Sequence, residues 1–389
     1  MCDRLLRRSS ARCSATARPR RRRLVRLGVV PETPLEWLAL RLGRVPTPLV
    51  DTHLAVAWGR TLLVATRGGV FDALAARPGS AAEVAARCGM AALPTRRLLD
   101  ALTGMGTLLP AGRERYRLGR GARRWLVRGS PDEVVDKVLF AFDEWRFVEH
   151  YERYLHSGEP LGMHALLVSG RGPDPASPAP IDDPSAYGRY QRGLHALAGV
   201  SSGEVARRTP VPRGAKRLLD VGGAHGRFAA ALLRRHPQLR ATVLDLAPAV
   251  AASAELLADE GLGSRLQHQV GDVLEVDLGE GAWDVVLASQ FTHHLDDAAN
   301  RTLARRVARS LRPGGVYVVQ DLVRPATPYE ARRMRLGALL DLYFAASSGA
   351  GTFTLPSMRA WLEQADLKPL RPRWLRTLPG MAQVVGRRR

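Results

Sequence analysis

The chain has few cysteines, few lysines and no long apolar run. Its 389 residues hold three cysteines, Cys2, Cys13 and Cys88, too few and too scattered for a disulfide framework or a cysteine zinc site. A reducing, cytoplasmic setting is the default that this leaves. No stretch reaches the roughly 18 apolar residues that a spanning helix needs, so no membrane partner is expected. Lysine occurs only at Lys137, Lys216 and Lys368, so arginine makes up the rest of the 58 basic residues and of the net charge of +21. Set beside abundant Ala, Gly and Pro, this bias reads as the imprint of a GC-rich genome, and charge alone does not imply a nucleic-acid partner. Ten arginines against one aspartate fall in residues 1–30, a composition that fits a transit peptide, a basic tail or a start codon set too far upstream. On each reading the arm is expected to be disordered. With 46% apolar residues the chain as a whole is not disordered, and its length predicts two or three domains.

Residues 31–128 read as short helices followed by a hairpin. Leu62, Val70 and Leu74 recur at helical spacing, a second segment spans 80–88 up to a turn at Gly89, and a third follows Pro94 with Leu98, Leu99 and Leu102. Gly104 and Gly106 stop that helix, and Leu108-Leu109, Ala111-Gly112 and Arg115-Tyr116-Arg117-Leu118 then form a hairpin pattern. The order is that of a winged helix-turn-helix, which makes a DNA-binding regulator the rival from another class. Residues 45–128 carry 13 arginines against 5 acids. Yet the recognition-helix candidate, 95–105, offers Arg96, Arg97 and Asp100 and is otherwise apolar, whereas reading base edges takes more polar groups. Burial against a second subunit is the expectation for Leu98, Leu99, Leu102 and Met105.

The next segment, 131–168, is aromatic and helical, with Phe140, Phe142, Trp145, Phe147, Tyr151 and Tyr154. It is either the wall of a pocket for a flat acceptor or a helix packed on a neighbouring domain. A loop at 170–184, a helix over 186–208 and a linker marked by Pro210, Pro212 and Gly214 follow.

From Lys216 the pattern becomes α/β. Strands are expected at 217–221, 241–244, 284–288 and 316–319, with a helix over 300–311 whose Leu303, Val307 and Leu311 share one face. Such alternation predicts a doubly wound parallel sheet. Leu219-Asp220-Val221-Gly222-Gly223-Ala224-His225-Gly226 follows the first strand and opens a helix, where glycines admit a sharp turn and free N–H groups receive a ligand. Asp245 ends the next strand, and Asp272 lies just past a third. Each aspartate alone could be a cap or a turn former. Together, at successive strand ends, they point to a ligand on that rim.

These residues resemble the class I methyltransferases that use S-adenosylmethionine. Leu219–Gly226 is similar to that superfamily's first motif, Asp245-Leu246 to its ribose-binding acid, and Leu311-Arg312-Pro313-Gly314-Gly315 to its late turn. Gly69-Val70-Phe71-Asp72-Ala73-Leu74 through Tyr116-Arg117-Leu118 resembles the dimerisation domain of the plant caffeate-type and bacterial small-molecule O-methyltransferases. The resemblance implies a Rossmann-like sheet preceded by a helical, winged-helix dimerisation domain. It divides the chain into an arm (1–30), a dimerisation domain (31–128), a connecting region (129–210) and a catalytic domain (211–389). It also implies a homodimer, S-adenosyl-L-methionine as cofactor, no metal, and a small hydroxyl acceptor of secondary metabolism.

Carried residue by residue, the resemblance places the cofactor on Asp220, Gly222, Gly223, Gly226, Asp245, Leu246, Asp272, Val273 and Ser289. His293 falls at the general-base position with His294 beside it, and Asp321 is the carboxylate that orients the base. Phe142, Trp145, Met334, Leu339 and Phe344 are expected acceptor contacts. Three positions depart from the family: Ala224 replaces a glycine, Ser289 a lysine of plant members, and Thr352 the second acidic partner of the base. The last departure leaves N- or C-methylation, hydroxylation or decarboxylation open as alternatives.

Overall fold

The structure, a computed structural model, describes residues 30, 31, 33–163 and 186–389. The basic arm before residue 30 and the loop expected at 170–184 lie outside them.

The N-terminal module is built as short capped helices. Thr33 starts Pro34–Arg41 with a capping box, its hydroxyl accepting from the Glu36 N–H while the Glu36 carboxylate accepts from the Thr33 N–H. Ser80 and Glu83 repeat the device at Ala81–Cys88. Helices Ala55–Arg67, Val70–Ala76 and Ala92–Gly104 complete the bundle, and the hairpin forms from β2 (Leu108–Pro110) and β3 (Arg115–Leu118). A two-residue strand β1 (Gly79–Ser80) adds to β3, too short to carry a periodic signal. Phe71, Leu74, Leu99, Leu102 and Leu108 are fully buried together. This corrects one expectation: Leu99 and Leu102 sit in the module's own core, and Leu98 and Met105 pack against it. A module this small needs the whole apolar stripe of that helix for itself. On that helix Leu93 is exposed, but most exposed apolar side chains of the module lie before it, at Leu35, Trp37, Leu38, Leu42, Leu49, Leu54, Val56 and Trp58.

Helices Val135–Val148, Tyr151–Ser157 and Ala186–Arg208 connect this module to an eight-stranded sheet. Its strands are β4 (Arg217–Val221), β5 (Arg240–Asp245), β6 (Leu266–Val270), β7 (Trp283–Ser289), β8 (Leu311–Leu322), β9 (Leu367–Pro369), β10 (Arg373–Trp374) and β11 (Met381–Arg388). The order is β10-β11-β8-β7-β4-β5-β6, with β9 also on β11. Strands β4 to β8 pair in parallel and β11 returns antiparallel to β8. Side chains alternate between two cores, Leu218, Val285, Leu287 and Val318 on one face, Leu219, Val286, Ala288 and Val319 on the other. Strand β8 begins five residues earlier than the sequence pattern shows, because Pro313-Gly314-Gly315 is drawn into an irregular strand start with Gly314 at φ 79°. The helix before it starts at Asp297, where the Asp296 carboxylate accepts from the Ala299 N–H.

From β4 the chain winds outward to β5 and β6, then crosses back to β7 and β8 on the other side. The switch in direction opens a crevice at the carboxyl ends of β4 and β7, the usual ligand position in such sheets.

Candidate active site

Three loops meet at that crevice. After β4, Gly222 (φ 63°) and Gly226 (φ 67°) hold left-handed conformations that favour glycine. A Cβ on Gly223 would lie 2.6 Å from the Asp220 carboxylate, and one on Gly222 would lie 2.1 Å from the Phe291 ring. The loop is therefore closed to side chains on both sides. Asp220 is buried beneath it, and both its oxygens lack a hydrogen-bond partner. Burial, then the charge of Asp245, pushes its carboxyl up to about 7, against the downward pull of the nearby Ala229 N–H. An orphaned buried carboxylate under a glycine loop is a socket for a cationic group.

Asp245 closes the second loop. Its Oδ1 accepts from the Leu246 N–H at 2.8 Å and its Oδ2 from the Ala224 N–H at 2.9 Å. Burial raises its carboxyl, and those two N–H groups pull the other way. Leu246 is itself exposed at the start of the Ala247–Asp259 helix. Past β6, Asp272 accepts from the Leu274 N–H, and the carbonyl of buried Val273 accepts from the Arg306 guanidinium. Ser289, at the end of β7, accepts from Gln320, which in turn accepts from Gln383. His225, inside the glycine motif, is kept neutral: burial, then the neighbouring His195, pushes it down to about 3.

The third loop carries the histidines. Gln290 turns through φ 53°, a short helical turn follows, and His293 is placed facing β8. Its Nδ1 lies 2.9 Å from Asp321 Oδ1 and 3.1 Å from Oδ2. The Thr292 hydroxyl, 2.7 Å away, and the His293 N–H also donate to Oδ2, and the Leu322 N–H donates to Oδ1. Both residues are buried. Burial by itself would raise the Asp321 carboxyl, but His293 and these donors hold it below its ordinary value. An imidazole fixed in this way through Nδ1 presents Nε2 as its second nitrogen. His294 packs beside it, with ring centroids 4.2 Å apart.

Among the expected acceptor contacts, Phe344 stacks on His293 at 3.9 Å between centroids. Tyr343 meets Phe344 edge-on and donates to Glu144, which also receives Lys137. Phe142 and Trp145 face the opposite way: Arg60 and Arg67 stack on the Phe142 ring, and Trp145 lies against Gly59. The aromatic helix therefore divides its rings. Phe140 and Phe147 join a core with Tyr343, while Phe142 and Trp145 hold the N-terminal module. Met334 is half-buried at the start of the Arg335–Ser348 helix, and Leu339 is 54% exposed on it. The Thr352 N–H and hydroxyl both donate to Asp341 Oδ1.

Comparison with known proteins identifies relatives of this chain. A family described as the O-methyltransferase domain covers residues 174–353, and one described as the O-methyltransferase dimerisation domain covers 52–128. A 3-hydroxy-5-methyl-1-naphthoate 3-O-methyltransferase of Streptomyces sahachiroi is 28% identical over 84% of this chain and 90% of its own length. A 2,7-dihydroxy-5-methyl-1-naphthoate 7-O-methyltransferase of Streptomyces carzinostaticus is 30% identical over 70% of this chain and 78% of its own. The chain belongs to the S-adenosylmethionine-dependent small-molecule O-methyltransferases.

This O-methyltransferase shares its fold with human N-acetylserotonin methyltransferase, solved with S-adenosylmethionine, at TM-score 0.73 over 92% of this chain and 99% of that one, with 18% identity. The residues present fit such a cofactor. The unpartnered Asp220 carboxylate suits an α-ammonium, and at Gly222 and Gly223 a side chain would collide with Phe291 and Asp220, so the loop stays bare backbone there. Thr292, Phe291 and Arg306 escaped the sequence reading. Phe291 and Thr292, just before the paired histidines, carried a local signal, and Arg306 carried none.

Proposed function

We propose that this O-methyltransferase methylates a hydroxyl of a small aromatic acceptor, with His293 as general base and Asp321 as the carboxylate that orients it. The single observation behind this is the buried His293–Asp321 pair, which fixes Nδ1 and directs Nε2 away from the carboxylate. The naphthoate O-methyltransferases among the relatives support an aromatic hydroxyl as acceptor.

S-adenosylmethionine, when bound, supplies a methyl made electrophilic by its sulfonium. Asp220 would take the ammonium, Gly222, Gly223 and Gly226 would leave the backbone accessible, and Asp245 would accept from ribose hydroxyls. Leu246, Asp272, Val273 and Ser289 would complete the cofactor contacts. The protein's main task is alignment, which accounts for about 7–11 kcal/mol of such barriers. A free phenol has a pKa near 10 and an ordinary imidazole about 6.5, so full deprotonation before attack is costly. His293 therefore removes the proton as the oxygen attacks, and Asp321 stabilises the imidazolium that results. Phe344, stacked on His293, limits the base to one ring orientation and offers a flat face to the acceptor. Residues 31–128 act as the homodimerisation module, supported by the family match over 52–128 and by the exposed apolar side chains between Leu35 and Trp58.

The test is incubation of the purified enzyme with labelled cofactor and a panel of hydroxynaphthoates, phenols and arylamines, followed by mass spectrometry of the products. Methylation of hydroxyl-bearing members supports the reading. Transfer confined to arylamines, or no transfer at all, overturns it.

A further inference from the structure

Ala224 stands where this family's first motif has glycine, and its backbone keeps the glycine conformation. Its φ is 37°, and Gln290 and Asp366 are the other non-glycine residues with positive φ among the described residues. An L-residue occupies that region only when its surroundings hold it there. Two side chains from the neighbouring strands do so. Asp245 Oδ2, at the end of β5, accepts from the Ala224 N–H at 2.9 Å. His268 Nε2, on β6, lies 2.6 Å from the Ala224 carbonyl oxygen. A carbonyl only accepts, so Nε2 carries the proton and donates. His268 pairs in register with Val243, whose methyl groups lie against the Gly223 and Gly226 positions, so the histidine reaches the loop across β5.

We infer that His268 is a positioning residue for cofactor binding: its hydrogen bond to the Ala224 carbonyl compensates for the missing glycine and keeps the 220–226 loop shaped for its ligand. The inference rests on reading that loop as the cofactor cradle. With glycine at 224 the chain would adopt the turn unaided, and the histidine would matter little.

The experiment measures binding of S-adenosylhomocysteine by calorimetry and steady-state kinetics on the full chain. H268L raises the cofactor KM and the Kd about tenfold, the scale of one lost hydrogen bond, while kcat and the acceptor KM hold. H268Q, which keeps a donor of similar reach, restores most of the affinity. In an A224G background the same H268L change weakens binding by no more than about twofold, because the turn no longer needs holding. Wild-type affinity in H268L, or an equal loss with glycine at 224, overturns the inference. If H268L fails to fold but A224G/H268L folds, the compensation is supported. If both fail, His268 serves the sheet and the inference falls. Absence of any binding by the wild-type chain would instead sink the cofactor reading itself.

Discussion

Two histidine–carboxylate pairs in this molecule have the same 2.9 Å separation and opposite consequences. His293 faces Asp321, and His195 faces Glu260. Asp321 takes its remaining hydrogen bonds from the neutral Thr292 hydroxyl and backbone N–H groups, so its charge is left for the imidazole. Glu260 also holds Arg227 at 3.0 Å and Arg234 at 2.6 Å. Burial would raise the Glu260 carboxyl, but His195 and the two arginines hold it at about 2. A carboxylate neutralised twice over has little left to stabilise an imidazolium. It is a clasp between the Ala186–Arg208 helix and the catalytic domain, whereas Asp321 is available for chemistry. Proximity of histidine to acid does not distinguish the two; the rest of the acid's shell does.

The largest effect that would sharpen this contrast is expected at the pair proposed as catalytic, His293 and Asp321. H293A should lower kcat about 10²–10⁴-fold with the Kd for S-adenosylhomocysteine unchanged, measured with labelled cofactor. Undiminished turnover would put both pairs in the structural class. E260Q should behave in the opposite manner, losing about 3 kcal/mol of stability in urea while the folded fraction keeps its turnover per molecule. The sign with pH follows from a folded value of about 2, below the ordinary 4.5: the Glu260 contribution is complete above about pH 4.5 and is lost as pH falls towards 2. Acid unfolding of E260Q should therefore show a shallower dependence across that window. D321N comes next, lowering kcat by up to about 10⁴-fold because the amide cannot carry the charge that stabilises the imidazolium, and costing stability as well because its NH2 cannot accept the hydrogen bonds that the carboxylate takes. Equal effects of E260Q and D321N on kcat would abolish the distinction.

Asp220 is a third case, a buried carboxylate with no histidine and no arginine bonded to it. Its value of about 7 in the free enzyme predicts that a ligand ammonium expels a proton, so affinity for S-adenosylhomocysteine rises as pH rises towards and through 7. Calorimetry in buffers of different ionisation enthalpy would detect the released proton, and D220N should remove that signal. This is the smallest of the four effects, an affinity change of about tenfold or less.

Much of this was readable along the chain. The strand at 217–221 was placed to the residue, and the glycine loop and the hairpin each fell in the expected element. These are local signals, made by turn chemistry and by side chains that alternate or recur within a few residues. What the sequence concealed involves distant partners. Nothing near position 268 announces a hydrogen bond to residue 224, since the contact runs across β5. The aromatic run at 140–154 gave composition without direction, and packing sent Phe142 to the N-terminal module while Phe140 joined Tyr343. Leu99 and Leu102 were apolar on any reading, but only the assembled module showed which core they fill.

The sequence by itself determined the order of elements, the rim on which a ligand sits and the residue types offered there, because backbone sterics and burial periodicity act locally. The tertiary structure decided which acid serves which histidine, and how an alanine keeps a turn that favours glycine. Both depend on charges and donors brought together from strands far apart in the chain, and the electrostatic environment of a group is set by neighbours in space.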